Sequence, residues 1–458
     1  MKPVKTEEKK ASGNFRKNAP RRQKAVSIRR ELFDEKAVPA ESQKILQNFD
    51  DIVADVRGLS GKQKVGLYGA IKNLSHQLTD ERGNRRIGYM NDAGFISAYI
   101  SYFMWWNLVR LTRLFSNLPK SAFELEDGSV ALDIGSGPLT VPIALWLARP
   151  ELRSKKITWY CMDLSQTALS AGEDLYLSIA AKTIAAGKES SEANQNNEDL
   201  QNENSINTWR IIRVKGPLGT SIKEKADLVT CGNVFNEIVQ RNEMPTDFLA
   251  KKYSGDLISY MEKETEKKQT LLLIEPGDPH SARFVSLMRD AFIRRDFIPV
   301  APCTHTAECP MAGRTHGKAV NSYGKNAKWC NFAFNTDSAP AKLLKLSEKA
   351  GLPKERAGLS FILAQKAAVS KENPASKQTS GKTKQNPEAE KTFIRIASDF
   401  IRLPDLHKSG YYACSQFGML LAIDESHVQP KNGELLQIKT PENLSERDKK
   451  SGALIVKI

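Results

Sequence analysis

The sequence predicts an α/β fold in which helices cover a parallel sheet. Between residues 129 and 300, short apolar runs alternate with stretches of helical periodicity, the pattern of strands joined by crossover helices. A glycine-containing turn directly follows the first apolar run, where such a sheet binds its ligands. Together these observations predict a Rossmann-like domain over residues 129–300, with strands in the runs VALDIGSG, ITWYCMDL, WRIIRVKG, ADLVTCGNVF and TLLLIEPG.

Residues 1–30 precede this domain as a basic tail, with eleven Lys or Arg against two Glu. The whole chain has a formal net charge of +15, so a polyanion such as RNA is an expected partner. The tail has few core-forming residues and is predicted to be disordered. Glu7 and Glu8 are atypical of a mitochondrial transit peptide and no apolar secretion signal is visible. The expected compartment is therefore a bacterial cytoplasm, with the mitochondrial matrix as the alternative.

Residues 31–118 form a region of helical periodicity, as in ILQNFDDIVADVRGL. The most apolar stretch, residues 95–115, contains Asn107, Arg110 and Arg113, and its uncharged part is too short to span a bilayer. It is therefore predicted to be a buried helix, and no membrane association is expected. No segment indicates oligomerisation.

The rest of the chain divides where its composition changes. Two segments are too polar to pack and are predicted to be disordered, an insertion at 186–207 and a linker at 370–391. Before the linker, the sequence predicts a Cys-rich loop at 301–335 and a return to the sheet at 336–369. Strand-like runs after the linker predict a small β-rich C-terminal unit at 392–458.

The glycine turn, VALDIGSGPLT, contains the first candidate site residues, Asp133, Gly135 and Gly137. Glycines allow a sharp turn and a close approach of a ligand to the backbone. The next predicted strand ends in Asp163, where an acid accepts hydrogen bonds from the hydroxyls of a ribose. Pro138 follows the turn where a pyrophosphate site would favour more glycine, so S-adenosylmethionine is favoured over a dinucleotide.

The stretch DIGSGPL resembles motif I of the class I methyltransferases. This resemblance implies that Asp133, Gly135 and Gly137 surround the amino-acid part of S-adenosylmethionine. It also implies that Asp163 holds the ribose of the cofactor. Leu139 replaces a smaller residue of the motif and is expected to narrow the cofactor pocket.

Two further residues, Asn233 and Glu237, follow the fourth predicted strand in CGNVFNEI. The same resemblance implies that both face the cofactor site. Cys161 and Cys231 lie in apolar strands, where a thiol is usually a small buried hydrophobic group. No side chain is assigned to catalysis, so the sequence supports cofactor binding more strongly than it supports an activity.

Three of the six cysteines lie within about thirty residues, in an irregular segment rich in Gly, Pro and His. A bound metal would supply the free energy that orders such a segment. The spacing lacks the C-x-x-C pairs of zinc sites, and the long first step favours an iron–sulfur cluster over a single ion. His305 and His316 are alternative ligands, although each is more typical of a solvated loop residue. The favoured ligands are four thiols, Cys303, Cys309, Cys330 and, from the C-terminal unit, Cys414.

The segments APCTHTAECPM and WCNF, preceded by LLLIEPGDP, resemble the methyltransferase-like protein 17 family. That family is described as a mitochondrial small-subunit ribosomal protein and assembly factor with bacterial relatives. The resemblance implies a structural [4Fe–4S] cluster, with zinc as the alternative, held by the four cysteines on a methyltransferase fold. It also implies binding to the small ribosomal subunit and its rRNA. Thr304 and Asn331 depart from the family pattern, which has Pro after the first cysteine and His after the third, but neither removes a thiolate.

Two functions are compatible with these features. The first is an S-adenosylmethionine-dependent rRNA methyltransferase in which the cluster is a brace. The second is a catalytically silent ribosome assembly factor that uses the same fold only for binding. A redox enzyme is less favoured, because radical S-adenosylmethionine enzymes use three closely spaced cysteines that this chain lacks.

Overall fold

The computed structural model describes residues 26–79, 89–192, 208–311, 328–367, 391–404 and 407–458. Its strands, in chain order, are β1 Val26–Arg30, β2 Val130–Ile134, β3 Thr158–Asp163, β4 Arg210–Lys215, β5 Leu228–Gly232, β6 Gln269–Glu275, β7 Ile298–Ala301, β8 Phe332–Asn335, β9 Arg356–Lys366, β10 Lys391–Ile396, β11 Ile401–Leu403, β12 Lys408–Ser415, β13 Gly418–Asp424, β14 Leu435–Lys439 and β15 Leu454–Lys457. Its α-helices are α1 Ala40–Gln47, α2 Phe49–Val56, α3 Gly61–Thr79, α4 Ala93–Ala98, α5 Trp105–Asn117, α6 Thr140–Ala148, α7 Gln166–Glu192, α8 Phe235–Ile238, α9 Thr246–Ile258, α10 Pro279–Ile293 and α11 Ala341–Lys349.

The central sheet has the order β4-β3-β2-β5-β6-β9-β7, and β8 pairs with β9. The first five strands are parallel, whereas β9 is antiparallel to both β6 and β7. Strands β2 and β6 are buried along their whole length, as expected when helices cover both faces of a sheet. The predicted Rossmann-like class I methyltransferase sheet is confirmed. The chain order reverses at β2, so a ligand crevice is expected outside the carboxyl ends of β2 and β5.

The N-terminal region packs helices against this sheet. Helix α4, a π-helical segment at Tyr99–Met104 and α5 follow one another without a break. Trp105 is 1% exposed, and its indole N–H donates to the Leu46 carbonyl oxygen at 2.8 Å. The predicted buried helix is therefore confirmed. No helix in the described part of the chain is long and apolar enough to cross a membrane.

The C-terminal unit is a second sheet of order β1-β14-β10-β12-β13-β15, with β11 paired to β12. Every strand pair in it is antiparallel except β13 with β15, which are parallel. The sheet curls around a small core of its own, distinct from the cores of the central sheet. Alternate side chains of the strands form that core: Ile394, Ile396, Tyr411, Ala413, Leu420, Ala422, Leu436, Ile438, Leu454 and Val456.

Three segments predicted to be disordered each include residues that form a helix or a strand. Val26–Arg30 forms β1, because it finds a pairing partner in β14 at the far end of the chain, which no local signal reveals. Helix α7 includes residues 186–192, where Ala, Lys and Glu favour helix over coil. Lys391, assigned to the linker, begins β10. The remaining parts of these predictions, 1–25, 193–207 and 370–390, lie outside the described residues.

Candidate functional site

A cavity of about 470 Å³ lies at the carboxyl ends of the parallel strands. Residues that follow β2, β3, β5 and β6 line it, which is the position that the reversal of strand order predicts. Among the predicted site residues, five line this cavity: Gly135, Gly137, Asp163, Asn233 and Glu237.

The glycine turn needs its glycines for two separate reasons. Gly135 and Gly137 have φ angles of 66° and 52°, in the left-handed region that favours glycine. In addition, a Cβ on Gly135 would lie 2.1 Å from Cγ2 of Val234. The turn and the loop after β5 are therefore packed directly against each other, and they form one wall of the cavity.

Asp133 lies beneath the turn and is not among the residues that line the cavity. Its side chain is 1% exposed and accepts hydrogen bonds from the Ser136 and Thr230 hydroxyls, both at 2.6 Å. Burial raises the pKa of Asp133 to about 7. In the structure this carboxyl group supports the turn from inside, in place of the cofactor contact expected for it.

Leu139 also differs from expectation. Although its φ angle is 57°, its side chain is fully buried in the hydrophobic core and is not part of the cavity wall. It packs against Gly172 of α7, where an added Cβ would lie 2.7 Å from Leu139 Cδ1. Leu139 therefore fills a space between helices and does not narrow the pocket.

Asp163 is placed as an acceptor at the cavity wall. Its carboxylate accepts from the backbone amides of Gly137 at 2.9 Å and Ser165 at 2.8 Å. Burial raises the pKa of Asp163, and the two amide hydrogen bonds oppose that rise. Each carboxylate oxygen has two acceptor positions, so the group can still accept from the hydroxyls of a ligand.

The loop after β5 is held by Glu275, the last residue of β6. This fully buried carboxyl group accepts from the amides of Val234, Phe235 and Asn236 at 2.8–3.1 Å. Burial raises the pKa of Glu275 to about 8. In the sequence, Glu275 was noted only within LLLIEPGDP, although an acid that directly follows an apolar run indicates a hydrogen-bonded internal role.

Two further polar side chains of this loop line the cavity, Asn236 and, as the resemblance implied, Glu237. The carboxamide oxygen of Asn236 is buried and has no hydrogen-bond partner in the described residues. A buried acceptor of this kind usually has a partner, so it marks a position where a ligand donor would fit.

The wall opposite the sheet comes from the N-terminal helices, which sequence reasoning did not connect with the site. Tyr99, Asn107 and Arg110 line the cavity there. The Arg110 guanidinium donates to Asn107 and to the Gly358 carbonyl oxygen, so it is fixed inside the protein. Burial lowers the pKa of Arg110 to about 10 and raises that of Tyr99 to about 12.

The four thiols Cys303, Cys309, Cys330 and Cys414 form the second candidate site. They are close enough to interact electrostatically, since burial and then the other three thiols raise the pKa of Cys330. Burial and neighbouring thiols also raise the pKa of Cys309, to about 11, and that of Cys414. All four are free thiols. In the described segments, no three or more His, Cys, Asp or Glu side chains are arranged to hold a metal ion.

Two buried arginines accompany the thiols. Arg289, 2% exposed, donates to Cys303 Sγ at 3.2 Å, and to the carbonyl oxygens of His305 and Ala307. Burial lowers the pKa of Arg289, but the charges of Cys303 and Cys309 outweigh it and the net shift is upward. Arg395, 6% exposed, is the strand neighbour of Cys414 and donates to the Pro302 carbonyl oxygen at 2.9 Å. The two cations would offset negative charge if the thiols ionised.

His305 is not the solvated loop residue that was expected. It is half-buried, and its Nε2 lies 3.4 Å from Cys414 Sγ. Burial, together with the charge of Arg289, lowers the pKa of His305 to about 4, so the imidazole is neutral at pH 7. The other histidine considered, His316, lies outside the described residues.

A short segment joins the thiol site to the cavity. Trp329 and Asn331, on either side of Cys330, both donate to the Gly277 carbonyl oxygen, at 2.9 and 3.1 Å. Gly277 is two residues after Glu275, and Pro276 between them lines the cavity. Asn331 thus supplies a side-chain N–H donor where the resembling family has His. Cys161 and Cys231 take no part in either site and are buried in strands, as predicted.

Comparison with known proteins gives matches to a family and to solved structures. No curated protein sequence matches the chain. Similar structures include precorrin-6y C5,15-methyltransferase from Geobacter metallireducens, with 12% identity over 54% of this chain and 84% of that chain and a TM-score of 0.28. A ribosomal protein L11 methylase from Lactobacillus delbrueckii subsp. bulgaricus has 12% identity over 44% and 74% of the two chains, with a TM-score of 0.26. A SAM-dependent methyltransferase from Thiobacillus denitrificans, in complex with S-adenosyl-L-homocysteine, has 13% identity over 63% and 97%, with a TM-score of 0.26.

The family match covers residues 97–386, which is well over half of the chain. It includes every strand of the central sheet, the cavity loops and three of the four thiols of the second site. By this match the chain belongs to the family described as mitochondrial small ribosomal subunit Rsm22.

Proposed function

We propose that this protein binds the small ribosomal subunit and its rRNA, and takes part in assembly of that subunit. The observation that carries the proposal is the family match over residues 97–386, because that family is described as a small ribosomal subunit protein. The net charge of +15 supports it, since neutralising phosphates is the main source of affinity for RNA. The resemblance to the methyltransferase-like protein 17 family also supports binding to the small ribosomal subunit.

The cavity is proposed to bind S-adenosylmethionine. Asp163 would accept from the ribose hydroxyls, and the backbone of Gly135 and Gly137 would pass close to the amino-acid part. Asn233 and Asn236 would lie at the end of the cavity where the target atom enters. When bound, S-adenosylmethionine supplies an electrophilic methyl group. The role of this chain would be to orient the two reactants, to accept hydrogen bonds from the target through Asn236, and to exclude water.

A catalytically silent assembly factor is the second candidate. The observation that favours it is the side chain of Val234, which is packed against Gly135 and reduces the space at the turn. Incubation of the purified protein with precursor subunits and radiolabelled S-adenosylmethionine distinguishes the two. Label in rRNA that is lost in Asn233→Ala supports methyl transfer. Binding of S-adenosylhomocysteine without any label supports the silent factor.

The four thiols are proposed to hold a [4Fe–4S] cluster, with zinc as the alternative. The donor set fits a cluster, because four thiolates around four irons leave a net negative charge that Arg289 and Arg395 offset. Bound to iron, the thiolates would no longer raise one another's pKa. The cluster would act as a structural brace between the loop after the central sheet and strand β12 of the C-terminal unit. All four irons would then be coordinated by the protein, which leaves no open iron site for a substrate.

Anaerobic purification followed by iron, sulfide and zinc analysis tests the cluster. About four irons and four sulfides per chain, with visible absorbance, are expected. Zinc without sulfide would instead indicate a zinc ion held by the same four cysteines. Neither result changes the test for ribosome binding, which is co-sedimentation with small subunits.

The compartment is the remaining element of the proposal. The family description is mitochondrial, which favours the matrix alternative. The bacterial cytoplasm expected from Glu7 and Glu8 stays a prediction. Fractionation of the source cells, with detection of the intact chain, tests both.

A further inference from the structure

The loop that follows β7 contacts both helix α10 and the C-terminal unit. In the described part of the chain, residues 303–309 form no hydrogen bond with other backbone groups. Backbone carbonyl groups that leave water need partners, so side chains of neighbouring elements have to supply them here. The shape of this loop therefore depends on a few side chains that reach it from two directions.

On the side of the C-terminal unit, strand β10 holds the beginning of the loop. Arg395 donates to the Pro302 carbonyl oxygen at 2.9 Å. The hydroxyl of Thr304 donates to the Phe393 carbonyl oxygen at 3.3 Å. These two contacts attach the loop to the unit that supplies the fourth thiol.

On the side of the central sheet, one side chain of α10 makes the main contacts. Arg289 donates through Nε to Cys303 Sγ at 3.2 Å. Its Nη2 donates to the carbonyl oxygens of His305 and Ala307, at 2.7 and 2.8 Å. Its Nη1 donates to Asp290 at 2.7 Å. All three nitrogens of this buried guanidinium group therefore have partners, and three of those partners belong to the loop.

This set of contacts requires an arginine. The guanidinium group is a rigid planar fork with five N–H donors, whereas lysine has a single nitrogen on a flexible stem. A lysine at position 289 would keep the positive charge, but it could not reach a thiol and two carbonyl oxygens in the same directions. The contacts therefore indicate that Arg289 shapes the loop in addition to supplying charge.

The same face of α10 also reaches the second thiol of the loop. Ser286 lies three residues before Arg289, which places the two side chains on one side of the helix. The Ser286 hydroxyl is close enough to Cys309 to oppose the rise that burial causes in the pKa of that thiol. One helix face thus contacts both Cys303 and Cys309.

From these contacts we propose that Arg289 is the positioning residue of the four-thiol site, because its guanidinium group folds the loop into the shape that presents Cys303 and Cys309 together. This inference rests on the proposed function, since it concerns the ligands of the proposed cluster, and it names what prepares two of them. The N–H donated to Cys303 would remain when that sulfur binds a metal. It would then stabilise the more negative, reduced form of an iron–sulfur cluster.

The test compares Arg289→Lys and Arg289→Gln in the full chain, purified anaerobically. The matched control is Arg294→Gln, at an exposed arginine that ends the same helix. Both Arg289 variants are expected to lose more than half of the bound iron and sulfide, or zinc, and to release the rest to ethylenediaminetetraacetate at least tenfold faster. The control should match the wild type. Wild-type metal content and release in Arg289→Lys would overturn the proposal, since charge alone would then be enough.

A second measurement follows the loop without metal, by mass spectrometry of each cysteine after pulses of N-ethylmaleimide. Cys309 is 8% exposed and should react at least tenfold faster in both Arg289 variants. Cys231, buried in β5, should stay as slow as in the wild type. Faster reaction of Cys231 as well would overturn the proposal, because Arg289 would then support the whole fold and not this loop.

The reduction potential of the iron-loaded chain tests the contact with sulfur. Arg289→Gln should lower it by about 59 mV, a tenfold change for one electron, and Arg289→Lys should lower it less. An unchanged potential would overturn the contact with Cys303. Wild-type protein that binds no metal would contradict the proposed cluster. Faster alkylation of Cys309 in both variants would still support the role of Arg289 in the loop, so the two failures are distinguishable.

Discussion

The cavity beside the glycine turn and the four-thiol site lie on two sides of the segment at 275–277, yet they are built differently. The carboxylates of Asp163 and Glu275 already accept backbone amides, so the cavity has its shape without a ligand. The thiols instead raise one another's pKa, so their grouping is unfavourable once they ionise. The comparison teaches that the cavity is preorganised by internal hydrogen bonds, whereas the grouping of the thiols disfavours their ionised form.

The largest effect is expected from Cys414→Ser, which removes the one thiol that the C-terminal unit contributes to the site. Iron and sulfide content should fall by more than half, and limited proteolysis should release the C-terminal unit. S-adenosylhomocysteine affinity should change far less, because the cavity keeps its own hydrogen bonds. Cys231→Ser, another thiol in a strand, is the control and should keep its iron. Full iron content in Cys414→Ser would remove Cys414 from the ligand set.

Asp163→Ala tests the cavity, the other of the two regions compared. Loss of a charged acceptor for the ribose, and of the acceptor for the Gly137 amide, is expected to weaken S-adenosylhomocysteine binding by about 100-fold in calorimetry. Iron content should stay the same. Asp174→Ala, on the exposed side of α7, is the control for removing a carboxylate. Wild-type affinity in Asp163→Ala would show that the ligand does not use this wall.

Glu275 is expected to make the stability of the folded protein depend on pH. Its pKa is about 8 in the folded chain and 4.5 in the unfolded chain, so the folded state binds more protons between these values. The contribution of Glu275 to the free energy of unfolding is fully present below pH 4.5 and is lost as the pH rises through 8. Between pH 6 and pH 9 the free energy of unfolding should therefore fall by roughly 2 kcal/mol more in the wild type than in Glu275→Gln.

Urea unfolding at both pH values measures this difference. The exposed Glu262→Gln variant should retain the wild-type dependence on pH. Parallel pH profiles for the wild type and Glu275→Gln would mean that Glu275 is ionised throughout, stabilised by its three amides.

The smallest effect is expected from Trp329→Phe, which removes one hydrogen bond to the Gly277 carbonyl oxygen. Such a bond is worth about 1 kcal/mol, so S-adenosylhomocysteine affinity should fall about fivefold while iron content is unchanged. This outcome would show that the thiol region helps to fix the wall of the cavity. The neighbouring Lys328→Ala should leave the affinity unaltered. An unchanged affinity in Trp329→Phe would mean that the two regions are energetically independent.

The parts of the cavity that local pattern could predict were those that follow strands directly. Gly135, Gly137, Asp163 and Asn233 each come within three residues of a strand end, and all four line the cavity. Asp133 was assigned to the ligand because the pattern gives its position along the chain but not the direction of its side chain.

Other features depend on residues far apart in sequence, so no local pattern contains them. Leu139 was expected at the pocket because its contact with Gly172 of α7 is invisible in the turn itself. The roles of Arg110 and Arg289 likewise require partners supplied by folding. The same reason applies to β1, which needs β14.

By itself, the sequence determined the α/β class, the glycine turn, the acid after the second strand and the identity of the four cysteines. These features follow from hydrophobic periodicity and residue type, which can be recognised over a few neighbouring positions. Only the tertiary structure decided that Asp133 supports the turn from within, that buried arginines face the thiols, and that β1 joins the sheet of the C-terminal unit. Those features arise from burial and from pairing between distant segments, because a side chain's charge and contacts depend on what folding brings beside it.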